Sequence, residues 1–322
     1  MIRLVAIQLA VTVVTVAGCA TSGKKDEPAH RAEAKAVGFL VREVPAWSRD
    51  NGCFSCHNNG DAARALYAAR RNGYRISERV LAGTTAWVSA PEKWDDNKGD
   101  PGFSDQRLAD VQFAAALVAA LPTIRTNASG ALNAAARRVA AGQTDAGTWP
   151  IDAGNPIGSP ATYGTTLATF MAWQTLTASP VEEARRTLQR AENALLAVRP
   201  DTVPNAATLL LFHRARGVSS STGKVAVPLE FLRRAQTSDG GWGPYADSPA
   251  ESFDTALALL ALAGWRSVSG VSEMIVRGRA HLDATQWEDG SWSPTTRPSG
   301  GTSYAQQIST TGWAALALLA TR

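Results

Sequence analysis

The sequence predicts an all-α protein in which about twelve helices close into one ring of six pairs, and three observations predict it. The chain repeats with a period of roughly 45 to 50 residues. Each repeat runs from a polar-faced helix through a loop into an alanine- and leucine-rich helix, and three of the loops carry Gln, Gly and Trp at matched positions. Helices apolar nearly all round, such as the one holding Leu257, Leu259, Leu260 and Leu262, suit burial on both sides and so an inner ring. Helices charged on one face, as in Val181-Glu182-Glu183-Ala184-Arg185-Arg186, suit an outer ring. The fold class that follows is a single (α/α)6 toroid spanning 34–322.

Ahead of the ring, Arg3 gives a positive start and Leu4 to Val16 an apolar run too short for a stable anchor. Val16-Ala17-Gly18-Cys19 then places small residues before a cysteine and resembles a lipobox. That resemblance implies a signal peptide over 1–18 and lipidation of Cys19, with Ala20 after it pointing to the periplasmic face of the outer membrane. An ordinary signal peptide cut nearby is the alternative. Residues 19–33 are polar and charged, cannot bury themselves, and read as a flexible tether.

The six units follow in order. The first pairs Ala34 to Val44 with Ala62 to Arg71, the second Ser77 to Val88 with Asp105 to Leu121, and the third Leu132 to Gly142 with Tyr163 to Thr175. The fourth pairs Val181 to Val198 with Asn205 to Arg216, the fifth Leu229 to Ala235 with Phe253 to Ala263, and the last Met274 to Thr285 with Ala305 to Ala320. Charge is spread evenly along the chain, with a net of only +4 and no basic stripe, which excludes a nucleic-acid surface.

The loops carry a specific resemblance. Phe231-Leu232, Gln236 and Gly240-Gly241-Trp242 match the QW repeat of squalene-hopene cyclases, as do Leu282, Gln286 and Gly290-Ser291-Trp292, with His281 where that repeat has an aromatic ring. Gln143, Gly147 and Trp149 form the third match. The resemblance to this toroid superfamily of terpene cyclases and protein prenyltransferases implies that each glutamine bonds backbone at a neighbouring helix end and each tryptophan stacks on it. From the residues alone, Asp-Gly supplies a turn with positive φ, and Trp supplies area to staple units together. These motifs define a fold and no chemistry.

Chemistry is concentrated in Cys53-Phe54-Ser55-Cys56-His57, in the first loop just before its inner helix. The motif resembles the c-type haem attachment sequence, in which two thiols add to the porphyrin vinyl groups and the next imidazole ligates iron. Export agrees with that reading. A disulfide or half a zinc site remain as alternatives. Of the other histidines, His30 falls in the tether, His281 in an outer helix and His213 in an inner one, where it is the best-placed candidate for a sixth ligand and also a plain core residue. Met171 and Met274 lie within repeat helices.

The toroid cavity is the second candidate. Cyclases of this resemblance protonate an alkene with the middle Asp of Asp-x-Asp-Asp-Thr-Ala, where this chain has Glu251-Ser252-Phe253-Asp254-Thr255-Ala256. Phe253 cannot donate a proton, so Asp254 and Glu251 are the weak catalytic candidates, and Asp254 reads equally as a helix cap. Asp95-Asp96 reads as a solvated loop pair, and the zinc set of prenyltransferases lacks its cysteine on a late inner helix. Tyr67, Phe113, Phe170, Trp173, Phe212, Phe253 and Trp313 either line a pocket for an apolar or cationic ligand or pack the helices together.

Three functions remain for the structure to weigh. The leading expectation is a lipid-anchored toroid carrying covalent haem c, for redox exchange with a partner protein or for ligand binding. The alternatives are a cyclase-like or prenyl-transferring enzyme acting on an isoprenoid, and a cofactor-free scaffold with a Cys53–Cys56 disulfide.

Overall fold

The computed structural model describes residues 28–97, 105–124, 127–151, 157–295, 297 and 303–322. The leader, Cys19 and the chain up to residue 27 lie outside these. The described residues form α1 (Pro28–Asn51), α2 (Ala63–Arg71), α3 (Glu78–Val88), α4 (Gln106–Ala120), α5 (Ala128–Ala141) and α6 (Gly164–Ala178). Then follow α7 (Glu182–Ala197), α8 (Val203–Ala215), α9 (Gly223–Ala235), α10 (Ser252–Leu262), α11 (Val271–Thr285) and α12 (Tyr304–Ala320). A π-helical turn, Cys56–Ala62, runs straight into α2.

The even-numbered helices contact one another in chain order and α12 returns to α2, so six helices make a closed inner barrel. The odd-numbered helices clad it, and α1 packs on both α11 and α12 to close the seam. Burial follows the pattern of hydrophobicity: every residue of α10 except Leu260 is buried. Three inner helices start on a polar cap, with Asp105, Thr202 and Ser303 accepting the backbone N–H of Leu108, Asn205 and Gln306. This satisfies donors that a buried helix start would otherwise leave bare. Among the described residues no helix is long and apolar enough to cross a membrane.

The glutamine loops act as unit-to-unit clasps. Gln143 Nε2 donates to Thr187 O on α7, Gln236 Nε2 to Met274 O on α11, and Gln286 Nε2 to Ala32 O on α1, at 2.9, 2.9 and 2.8 Å. Each tryptophan turns back on its own unit: the Nε1–H groups of Trp149, Trp242 and Trp292 donate to Val139, Leu232 and Leu282 carbonyls, all at 2.8 Å. The tryptophans therefore work by burial and this bond. Gly240 shows why glycine is needed, having φ +91° and a position where a Cβ would lie 2.5 Å from the Arg277 carbonyl oxygen.

The Gln286 clasp crosses the seam of the ring. Gln286→Ala removes its bonds to Ala32 and Gly290 carbonyls and is expected to lower the unfolding free energy by about 2 kcal/mol in a urea titration. An unchanged midpoint would show that closure does not depend on it.

Residues 28–33, read from composition as tether, belong to α1. Ala32 and Glu33 are buried, Ala32 by the Gln286 clasp and Glu33 by an ion pair with Arg322. Both partners lie at the far end of the sequence, so local polarity gave no sign of this burial.

Candidate functional site

The first loop is held by side chains that replace missing backbone order. Pro45 interrupts the N–H series of α1, and the nearby Glu43 and Val44 carbonyls accept Asn58 Nδ2 and Asn59 Nδ2 at 3.1 and 3.2 Å. Ser55 caps the π-helical turn by accepting the N–H groups of His57 and Asn58. Asn97 exchanges two bonds with the backbone of Phe54, at 2.9 and 2.7 Å. Phe54 stacks on Trp87 with centroids 4.6 Å apart, and Trp87 meets Phe113 edge-on at 5.7 Å. The segment carrying Cys53, Cys56 and His57 is thereby fixed from three sides.

Cys53, Cys56 and His57 line one cavity of about 470 Å³ at the rim, within the size range of small-molecule and cofactor sites. Trp47, Phe54, Leu108, Phe113 and Tyr304 give it an apolar wall. Both thiols are free, and the disulfide held as an alternative is not formed here: Cys56 opens the π-helical turn and Cys53 is buried ahead of it. Burial pushes the Cys56 thiol up to about 12, which keeps it protonated. It also pulls His57 down to about 4, which keeps the imidazole neutral and able to ligate a metal. Tyr304 donates to Glu43 Oε2 at 2.9 Å and stacks on Trp47 at 5.6 Å.

His213, the expected sixth-ligand candidate, does not reach this cavity. It is buried on α8, which packs on α6, α7, α9 and α10, whereas the π-helical turn packs on α1 to α4 and α12. Met171 lines a smaller cavity of about 160 Å³ among α2, α4, α6 and α12, together with Arg64, Arg71 and Gln174. Met274 is buried on α11, and His281 is buried beside Asp239 with Nδ1 3.4 Å from its carboxylate. Among the described residues no three of His, Cys, Asp and Glu come together to hold a metal ion.

Deeper in the ring, Asp61 ends its side chain among aromatic groups. Its carboxylate accepts Tyr163 Oη–H at 2.6 Å, Trp313 Nε1–H at 2.9 Å and Arg64 Nη1 at 2.9 Å. Arg64 also lies over the Trp313 ring at 4.6 Å. Burial raises the Asp61 pKa against the lowering effect of Arg64. Tyr163 reaches inward from a backbone φ of +65°, a costly conformation for a residue with a side chain. Trp313 meets Tyr163 and Phe253 edge-on at 5.7 and 5.9 Å. Tyr67, Phe170, Trp173, Phe212, Phe253 and Trp313 pack in the hydrophobic core and line neither of these two cavities, while Phe113, equally buried, lines the rim cavity.

The weak catalytic candidates come together around an arginine. Arg297 grips both oxygens of Asp254 at 2.9 and 3.1 Å and lies 3.2 Å from Glu251. Thr295 donates to the other Glu251 oxygen. Asp254 is the third residue of α10 and bonds no amide but its own, so the cap reading is corrected to a buried ion pair. Burial raises its pKa to about 6. Asp95 and Asp96 are exposed, as the solvated reading expects, and Asp95 pairs at the surface with Arg138 through two contacts of 2.7 Å.

Sequence reasoning missed as site residues Asp61, Tyr163, Arg297 and Ser309, whose Oγ lies 3.3 Å from His57 Nδ1. Asp61 carried a signal, a charged residue one helical turn after His57 and at the head of an alanine-rich helix. Tyr163 sits between Gly158 and Gly164, both at positive φ, but such a pattern marks any tight turn. Ser309 and Arg297 gave none.

Ring and rim cavity together define an α/α toroid protein with two thiols and an imidazole on one pocket wall. The same fold is found in type II terpene cyclase MstE from Scytonema, with TM-score 0.58 and 13% identity, covering 91% of this chain and 98% of that one. A possible member of the GH105 family from Salmonella enterica gives TM-score 0.58 at 12% identity over 91% and 93%. A mutant of unsaturated glucuronyl hydrolase from Streptococcus agalactiae gives 0.56 at 11% over 91% and 90%. No protein-family model matches the sequence, and no curated protein matches it. What the chain shares with these proteins is the toroid.

Proposed function

We propose that this chain is an exported, lipid-anchored toroid protein that carries haem c in its rim cavity and serves in redox exchange or ligand binding. The observation that supports the reading is the convergence of two free thiols and a neutral imidazole on one apolar-walled cavity of about 470 Å³. Cys53 and Cys56 would form the two thioethers and His57 the proximal ligand, while Cys19 would hold the chain at the membrane. Bound there, haem would supply an iron centre for one-electron exchange or for capture of a small ligand. The test is expression in a periplasm that matures c-type haem. Wild type is expected to be red, to keep its colour through acid extraction and to exceed the apo mass by one haem, whereas Cys53→Ala with Cys56→Ala is expected to be colourless. A colourless wild type of apo mass overturns the reading.

A second reading is favoured by the fold shared with MstE, whose structures include a complex with geranylgeranyl dihydroxybenzoate. It makes the chain a cyclase-like or prenyl-transferring enzyme on an isoprenoid, with Asp254 as acid. The Arg297 grip on both Asp254 oxygens holds that acid as an ion pair and weighs against a donor role. Incubation with polyprenyl substrates, comparing wild type and Asp254→Asn, decides it: absence of product from wild type removes this reading.

A further inference from the structure

One ring nitrogen of His57 has a partner inside the fold. Nδ1 lies 3.3 Å from Ser309 Oγ on α12. Ser309 is fully buried, and its hydroxyl lies beside the Asp61 carboxylate, whose pKa it lowers. Asp61 in turn is held by Arg64, Tyr163 and Trp313 at 2.9, 2.6 and 2.9 Å. The His57–Ser309 and Asp61–Trp313 contacts each join residues 252 apart in sequence, so they arise only when α12 closes against the π-helical turn.

Donor and acceptor counting points to a direction for this chain. Ion-paired with Arg64, the Asp61 carboxylate has no hydrogen to give and can only accept. Ser309 has a single O–H hydrogen, and the carboxylate beside it is a stronger acceptor than a neutral imidazole, which draws that hydrogen toward Asp61. Toward His57 the serine oxygen is then an acceptor, and Nδ1 must carry the proton. The neighbouring Thr310 is equally buried, yet its hydroxyl has no partner among the described residues, so a buried hydroxyl on this stretch of α12 does not acquire such a role by position alone.

We propose that Ser309 and Asp61 are positioning residues that hold His57 as its Nδ1–H tautomer, leaving the Nε2 lone pair as the ring's free donor. A histidine whose other nitrogen bonds toward a carboxylate is a more basic ligand, and a more basic axial ligand favours the oxidised iron. The arrangement of His57 stands on this chain alone; its consequence at iron rests on the haem reading.

Histidine ¹⁵N NMR on the haem-free full chain reads the tautomer directly. Wild type is expected to show His57 protonated at Nδ1. Ser309→Ala is expected to shift the population toward the Nε2–H form, as is Asp61→Asn, while Thr310→Val leaves the spectrum as in wild type. In the matured protein, Ser309→Ala is expected to keep covalent haem and to raise the reduction potential above that of wild type and of Thr310→Val. A His57 signal in Ser309→Ala identical to wild type overturns this inference and leaves the haem reading intact. A wild type that takes up no haem, but whose His57 tautomer responds to Ser309→Ala, overturns the haem reading and leaves the positioning role intact.

Discussion

Arg322→Ala is expected to lower the unfolding free energy by roughly 3–5 kcal/mol, because it strands a buried charge rather than removing a surface contact. Glu33 is 0% exposed on α1. Arg322 Nε donates to both of its oxygens at 2.9 and 3.1 Å, and the guanidinium also reaches Asn72 O at 3.0 Å and lies 5.1 Å over the Tyr74 ring. One side chain thus ties α1 and the turn after α2 to the end of α12. Loss of the guanidinium leaves Glu33 without its partner in a place water does not reach. Arg185→Ala is the control, since its pair with Glu182 is more than 70% exposed on both sides and is expected to change stability by less than about 0.5 kcal/mol. Urea titrations of the two variants should separate clearly; equal midpoints would mean that Glu33 finds solvent or another donor. Replacing both Glu33 and Arg322 by methionine is expected to recover most of the loss, because the penalty comes from the stranded charge and not from the missing attraction.

The division between what was legible and what was not follows the range of the interactions. The twelve helices and their inner or outer places come from periodicity within each segment, and the structure puts their ends within a few residues of the predicted ones except at α1, α5 and α9. Gln143, Gln236 and Gln286 were legible as a repeat, but their partners on α7, α11 and α1 depend on how the ring closes. Cys53, Cys56 and His57 were legible as a motif because all three lie in one short loop. The residues that hold His57 in place were not, because Ser309 belongs to the last repeat and Asp61 gains its partners from α6 and α12. His213 was legible as a core residue or as a ligand candidate, and the ring decides for the core, because α8 lies away from the rim cavity.

The same reasoning applies at Asp254, where a helix-start aspartate suggested a cap and the ring supplied Arg297 from beyond the sixth loop. Arg297→Ala is expected to cost roughly 3–5 kcal/mol at pH 7, since Asp254 is 0% exposed and Arg297 holds both of its oxygens. The loss should shrink at pH 5, where a carboxyl without its arginine is neutral. Wild type carries its own pH signature at this residue. Burial raises the folded pKa of Asp254 to about 6 from 3.8, so between these values the folded state binds a proton that the unfolded chain has released. Stability from this group is therefore fully present below pH 4 and is lost as pH rises through 6. At 1.36 kcal/mol per pKa unit the change is roughly 2–3 kcal/mol. Asp254→Asn cannot titrate, so subtracting its stability curve from that of wild type should leave a decline confined to pH 4–6. A flat difference would mean that Arg297 keeps Asp254 ionised throughout, and that the ion pair, not burial, sets the charge at the head of α10.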